Sequence, residues 1–411
     1  MSSSFDVLEH VIQASHIREY ARATATSQED PLLLHVKQYV PRGYRDAQRG
    51  DLTIVAAHAN GFPKELYEPL WEDLLQQLEK RGVRLRAIWI ADAAWQGRSG
   101  ILNRDKLGDD PGWFDYARDI THMINTFRMP RPIMGIGHSF GGNAIANVAL
   151  THPRLFSSVI LMDPVIERHD KRMAGDYVTP GHLSANRRDE WPSREAAAAA
   201  FAKSKFYQSW DPRAMERWVK HGLADKPGAA GGEVVLATSK HQEVFTFQRP
   251  SFPAFGEDGT QLLDRDLVPD MDFEAGQDAS VVPVYRPEPN ITFDRLRHIR
   301  PRLLYIFGGI SYMSLPPQRA AKMDVTGTGT SGSGGAPMGR VKSVVGEDWG
   351  HLIPMEAPAF CAQAAGEWAE DTMGWWREEN AKYEEWTKKS MVEKSTLSRD
   401  VLDRIKPKSK M

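Results

Sequence analysis

Short apolar runs in this chain alternate with segments of helical spacing, and that alternation admits few architectures. Leu52–His58 (LTIVAAH) is a continuous apolar run, the pattern of a strand buried on both faces. Lys64–Lys80 follows, with Leu66, Leu70, Leu74, Leu75 and Leu78 spaced for one face of a helix. Val83–Ile90 returns to strand character, Trp113–Phe127 to helix, Pro132–Ile136 to strand, Asn143–Leu150 to helix and Ser158–Met162 (SVILM) to strand. Upstream, Leu32–Val40 reads as an early edge strand before a Pro-Arg-Gly turn. Such regular alternation predicts an α/β fold: a mostly parallel central sheet flanked by helices, joined by right-handed crossovers.

The alternation stops at Asp163. Residues 165–300 are polar, punctuated by Trp and Pro, and carry one clear helix, Arg194–His221. Buried strands resume at Arg302–Phe307 and Val341–Val345. A core of residues 1–164 and 301–411, interrupted by a large lid over 165–300, accounts for this better than a loop of that length would. Thr326–Gly335 (TGTGTSGSGG) predicts a mobile low-complexity loop, and Cys361–Thr387 a Trp-rich charged helix that closes the core.

Composition narrows the function classes. The formal net charge of −2, with no long block of one sign, gives no reason to expect nucleic acid or an anionic membrane as partner. No stretch approaches the roughly 18 to 20 apolar residues of a membrane span. Met1–Asp30 lacks the basic start and apolar run of a secretory signal. The single cysteine, Cys361, excludes an internal disulfide and multi-cysteine metal sites. The expectation is a soluble intracellular protein needing neither metal nor organic cofactor.

Chemistry concentrates at Gly137-His138-Ser139-Phe140-Gly141, set between a buried strand and a helix. A nucleophilic serine needs its hydroxyl exposed on a turn too tight for side chains two places to either side, which the glycines permit. The helix that follows aims its N-terminal amides where negative charge would develop. Serine requires a base. In the chain order serine, acid, histidine, the base is His351 in Gly350-His351-Leu352; His58, His138 and His152 stand in the wrong order. The loop after Arg302–Phe307, a common place for the acid, reads Gly308-Gly309-Ile310-Ser311-Tyr312 and has no carboxylate. Asp163, ending Ser158–Met162, is the candidate instead, with a helix-capping role before Pro164 as the competing reading and Asp324, Glu347 and Asp348 as alternatives. Of the two amides an oxyanion needs, one is Phe140's and the other is expected from His58–Pro63, at Phe62 or next at Gly61.

These motifs, with Ala91–Gly100 (ADAAWQGRSG), resemble the α/β-hydrolase superfamily. The chain is similar more narrowly to fungal peroxisomal hydrolases of secondary metabolism, among them the acyl-CoA hydrolase of mycophenolic acid biosynthesis and proteins of host-selective toxin clusters. Ser15–Tyr20, Pro63–Trp71 and Tyr285–Pro289 extend the likeness along nearly the whole chain. The resemblance implies an α/β-hydrolase fold with the lid, mainly helical, inserted after the sixth core strand. It implies a triad of Ser139, Asp163 and His351, and as substrate a CoA thioester of a polyketide- or terpenoid-derived acid. Ala59 departs from the pattern, standing where many relatives place glycine. Two other readings are a carboxylesterase or lipase acting on oxygen esters, and a non-catalytic binding protein on the same scaffold. Ser409-Lys410-Met411 is a variant of the Ser-Lys-Leu peroxisomal address, which implies a matrix protein and the import receptor as partner. Lys171 and Arg172, near Arg168, Arg187 and Arg188, are candidates for holding CoA phosphates, against a plain solvated lid surface. A homodimer is the assembly left open.

Overall fold

In the computed structural model, which describes residues 4–43, 46–168, 179–229, 231–272 and 283–406, eight strands pair into one sheet. They are β1 (Phe5–Gln13), β2 (Leu33–Pro41), β3 (Leu52–Ala57), β4 (Leu85–Ala91), β5 (Ile133–His138), β6 (Ser158–Met162), β7 (Arg302–Gly308) and β8 (Val341–Gly346). Their order is β1-β2-β4-β3-β5-β6-β7-β8. The β1–β2 and β2–β4 pairs are antiparallel and the rest parallel. Every residue of β3, β5 and β6 is buried. The reason shows in β3: Ile54 and Ala56 join one hydrophobic cluster while Val55 and Ala57 join the other. A strand covered on both faces has no polar face to alternate with.

The helices supply those covers. On one side lies α1 (Glu68–Lys80), whose Leu70, Leu74 and Leu78 meet Cys361, Ala365 and Trp368 of the long C-terminal helix in a single cluster. On the other lie α2 (Trp113–Thr126), through Tyr116, Ile120 and Met123, and α3 (Phe140–Thr151), through Ile145 and Ala149. Each fully buried Leu or Ile contributes about 1.5–3 kcal/mol. This is the expected α/β-hydrolase architecture, a mostly parallel sheet between helical layers.

Three differences from the sequence reading have physical causes. The edge strand is β1, which pairs with β2 over nine residues from Phe5↔Pro41 to Gln13↔Leu33, so β2 lies one place inward. Of β1's residues only Phe5 is buried, while Val7, Leu8 and Val11 are exposed, so its sequence carries no alternation to read. The segment Arg194–His221 is three helical pieces: α4 (Arg194–Ala202), the turn Lys205–Gln208 and α5 (Pro212–His221). Pro212 has no N–H to continue a helix, and the Asp211 carboxylate caps the new start at the Arg213 amide, 2.8 Å away. The Gly-rich segment 326–335, expected to be mobile, is tied down by its backbone. Gly327 N–H donates to Leu296 O, Gly329 N–H to Arg297 O and Ser333 N–H to Ile299 O, at 2.7 to 3.0 Å. A Cβ on Gly332 would stand 2.2 Å from the Gly327 oxygen, so glycine here serves close approach rather than freedom.

Between β6 and β7 the chain leaves the sheet. Besides α4 and α5 this insertion holds α6 (Lys240–Phe247), a small sheet of Glu190–Trp191, Leu223–Asp225 and Val234–Leu236, and the ladder Arg249–Pro250 with Val284–Tyr285. It therefore contains strands as well as the expected helices. The chain re-enters through β7, the helix α7 (Pro316–Val325), β8, the turn Ile353–Glu356 and α8 (Pro358–Thr387). Among the described residues no helix is long and apolar enough to cross a membrane.

Candidate active site

Ser139 follows β5, Asp163 follows β6 and His351 follows β8, so three parallel strands deliver them to the same end of the sheet. The elbow is built by close packing. A Cβ on Gly137 would lie 2.4 Å from the Gly141 oxygen, and one on Gly141 would lie 2.4 Å from Ala57 O. Between them Ser139 takes φ 54° and ψ −119°, which costs a non-glycine residue about 1–3 kcal/mol. Its neighbours over-determine it. Ser139 N–H donates to Met162 O at 3.0 Å, and its carbonyl accepts from Gly142, Asn143 and Val165. Phe140 anchors the helix start with a ring stacked on Tyr116 and set edgewise against Trp113.

The three side chains the sequence singled out meet in a line. The Ser139 hydroxyl is 2.8 Å from His351 Nε2, and His351 Nδ1 is 2.6 Å from Asp163 Oδ2. A carboxylate accepts, so Nδ1 carries the hydrogen, leaving the Nε2 lone pair to accept from the serine. No other carboxylate among the described residues hydrogen-bonds that ring; Asp324, Glu347 and Asp348 lie elsewhere. Ser139 is only 6% exposed. Burial pushes the Asp163 pKa up, but the hydrogen bond and charge of His351, with the hydroxyls of Ser311 and Ser314, outweigh it and hold the carboxyl below its usual range.

Those hydroxyls come from the loop after β7 in which the sequence has no acid. Ser311 donates to Asp163 Oδ2 at 2.5 Å, Ser314 to Oδ1, and the Gly308 amide to Oδ1 at 3.2 Å. The loop thus cradles a carboxylate that the neighbouring strand supplies. Sequence reasoning passed over both serines, since a serine in a loop carries no signal without its partner. It also passed over Glu356, which accepts from the Gly350 amide at 2.6 Å and so pins the residue before His351. Burial pushes the Glu356 pKa up.

On the oxyanion side the structure differs from the expectation at Phe62. Its amide closes a turn onto Ala59 O at 3.2 Å, and the Gly61 amide donates to Gln96 Oε1 at 2.9 Å. The tight turn that was expected to present Phe62 instead folds its N–H inward. In that loop the Asn60 amide is the one without a hydrogen bond among the described residues, and at the elbow the Phe140 amide likewise has none. The Phe62 ring packs against Trp210 and Trp218 of the insertion, with centroids 5.6 and 5.8 Å away. Lys171 and Arg172, and Ser409, Lys410 and Met411, lie outside the described residues. Of their basic neighbours, Arg168 pairs with Asp294, Arg187 pairs with Glu243 at 3.0 Å and Arg188 donates to the Glu190 carbonyl.

Comparison with known proteins bears on the chain as a whole. The chain is 38% identical over 407 residues to the type I acyl-CoA thioesterase mpaH' of Penicillium brevicompactum, covering 93% of this chain and 92% of that protein. It is 31% identical over 245 residues to the abhydrolase domain-containing protein AFT2-1 of Alternaria alternata, covering 59% of this chain and 84% of the relative. Among solved structures it is similar to the peroxisomal alpha-beta-hydrolase Lpx1 of Saccharomyces cerevisiae, with a TM-score of 0.65, 17% identity and 90% of each chain covered, a likeness of fold. A model of the alpha/beta hydrolase family matches residues 54–364. With that match across most of its length, the chain belongs to the alpha/beta hydrolase family.

Proposed function

We propose that this protein is a serine hydrolase that cleaves an acyl-CoA thioester of a secondary-metabolite acid through an acyl-enzyme. The observation that carries the reading is the Ser139–His351–Asp163 line, with hydrogen bonds of 2.8 and 2.6 Å in the order that activates a serine. Relatives named acyl-CoA thioesterases, 38% identical over nearly the full length, supply the substrate class. Ser139 Oγ attacks the thioester carbonyl carbon as His351 Nε2 takes its proton. The oxyanion is met by the Phe140 amide at the start of α3 and by a second donor from the 58–63 loop. The tetrahedral centre collapses, the carbon–sulfur bond breaks, and the thiol of CoA leaves with the proton from His351. Water, deprotonated by His351, then attacks the acyl-serine and releases the free acid and Ser139. Asp163 holds the imidazole tautomer and stabilises the imidazolium.

In this reading the insertion is a lid over the site, Lys171 and Arg172 hold phosphates of CoA, and the protein resides in the peroxisome matrix through Ser409–Met411. The test is hydrolysis of an acyl-CoA panel beside matched oxygen esters by the purified protein. Turnover on the thioesters that exceeds the matched esters supports the proposal. Preference for the esters would make it a carboxylesterase, and no turnover of either, with no labelling by a fluorophosphonate, would make it a binding protein.

A further inference from the structure

His138 enters the sequence argument only to be excluded as the base, and the reaction gives Tyr67 no task. Yet these two rings stand where all three loops of the site converge, 1% and 2% exposed. His138 Nε2 lies 2.9 Å from the backbone carbonyl oxygen of His351. A carbonyl can only accept, so Nε2 carries the hydrogen. His138 Nδ1 lies 2.7 Å from Tyr67 Oη, and Tyr67 Oη accepts from the Ala59 amide at 2.9 Å. Burial first, and then the charge of His351, pushes the His138 pKa down to about 3, so the ring is neutral and Nδ1 has a lone pair. Every direction in the chain is then fixed: Ala59 N–H to Tyr67 O–H, Tyr67 O–H to His138 Nδ1, and His138 Nε2–H to His351 O.

We propose that Tyr67 and His138 are positioning residues that tie the loop of the base to the elbow and to the loop after β3, and that Tyr67 holds His138 in its neutral Nε2–H form. This rests on the reading of His351 as the base. During turnover His351 becomes an imidazolium, with its ring centroid 5.5 Å from that of His138. A second positive charge there would oppose proton uptake by His351. Tyr67's hydroxyl occupies the one nitrogen of His138 that a second proton could take. The charged and titratable groups facing His138 are His351, Asp163, His58 and Tyr67, and Asp163 is the only acid among them.

Two substitutions separate tethering from simple packing. His138→Gln places an amide N–H where it reaches the His351 carbonyl, whereas the shorter His138→Asn reaches toward Tyr67 and leaves that carbonyl unpaired. His138→Gln is expected to retain most of kcat, and His138→Asn to lose about a hundredfold in kcat with little change in KM, the scale of a misplaced catalytic group. Tyr67→Phe removes the donor to the Nδ1 lone pair, which favours the neutral ring, so the His138 pKa rises although burial and His351 still hold it down. The acid limb of kcat then moves to higher pH, a change that a purely structural role would not produce. Equal kcat for the Gln and Asn variants, or a Tyr67→Phe profile that superimposes on wild type, overturns the proposal. If His138→Asn does not fold, as judged by its thermal transition, the Tyr67→Phe profile decides alone. Ser139→Ala is run beside them: activity surviving in it refutes the serine reading itself, while its loss alongside equal His138 variants refutes only the positioning role.

Discussion

Ser139 holds a positive φ and a nearly closed environment, and both follow from glycines at 137 and 141 that let the elbow press against the end of β3. Replacing it by alanine removes the nucleophile while leaving that packing in place. Ser139→Ala is therefore expected to fold as wild type and to lose kcat on the order of a millionfold, the usual loss for one member of a cooperating triad; a stopped assay on acyl-CoA reads it. Asp163 gives a pH prediction. Its carboxyl is held below the ordinary range, so it stays charged through neutral and mildly acid pH, and its contribution is lost only as pH falls through that depressed value. Ser311→Ala combined with Ser314→Ala removes two hydroxyl donors to the charged form, so the pKa rises. The acid limb of kcat/KM should shift to higher pH; an unmoved limb would mean the two hydroxyls do not tune the acid. At this scale the sequence is legible where chain order and a turn motif speak together, as for Ser139 and His351. It is silent about Ser311, His138 and Tyr67, whose partners lie 148, 213 and 71 residues away along the chain.

Helix α6 of the insertion, with Thr238 just before it, grips the loops around the site. Asn60 Nδ2 donates to Glu243 O at 3.0 Å, Gly97 N–H to Thr238 Oγ1 at 2.8 Å, and Trp95 Nε1 to Thr246 Oγ1 at 2.8 Å. Thr246 also accepts from Gln96 Nε2, and its carbonyl accepts from Trp113 Nε1 at 2.7 Å. Thr246→Val keeps the shape and leaves the buried Trp95 N–H without its acceptor, which should cost about 1–3 kcal/mol. A denaturation midpoint unchanged within error would show that α6 is not a structural latch. The Gly-rich segment makes a parallel case. Gly332→Ala should lower the melting temperature, because its Cβ would collide with backbone rather than with a side chain able to move; if the segment were as mobile as its composition suggests, nothing would change. Strand periodicity and leucine spacing made β3 to β8 and α1 to α3 readable. The edge strand β1 and the break at Pro212 were not, since one lacks a buried face and the other depends on a cap that competes with helix propensity.

Across the whole molecule, the eight-stranded sheet brings strands β5, β6 and β8 to one end, and the chain between β6 and β7 returns aromatic rings onto the loop that carries Phe62. The proposed peroxisomal address rests on Ser409–Met411 rather than on this fold. A fluorescent protein fused at the N-terminus should give puncta in a fungal cell, and deletion of Ser409–Met411 should make the signal diffuse. Diffuse signal from the intact fusion would count against the address. The central claim is that Ser139 carries an acyl group from CoA to water. Its most direct test is rapid mixing of purified protein with an acyl-CoA, quenching in acid and measuring the mass of the intact protein and of its proteolytic peptides. The account predicts a transient adduct of the acyl mass on the peptide containing Ser139, formed and lost at rates compatible with turnover and absent from Ser139→Ala, which should not hydrolyse the thioester. Hydrolysis by Ser139→Ala at a rate comparable to wild type, or an adduct on another residue, would contradict it.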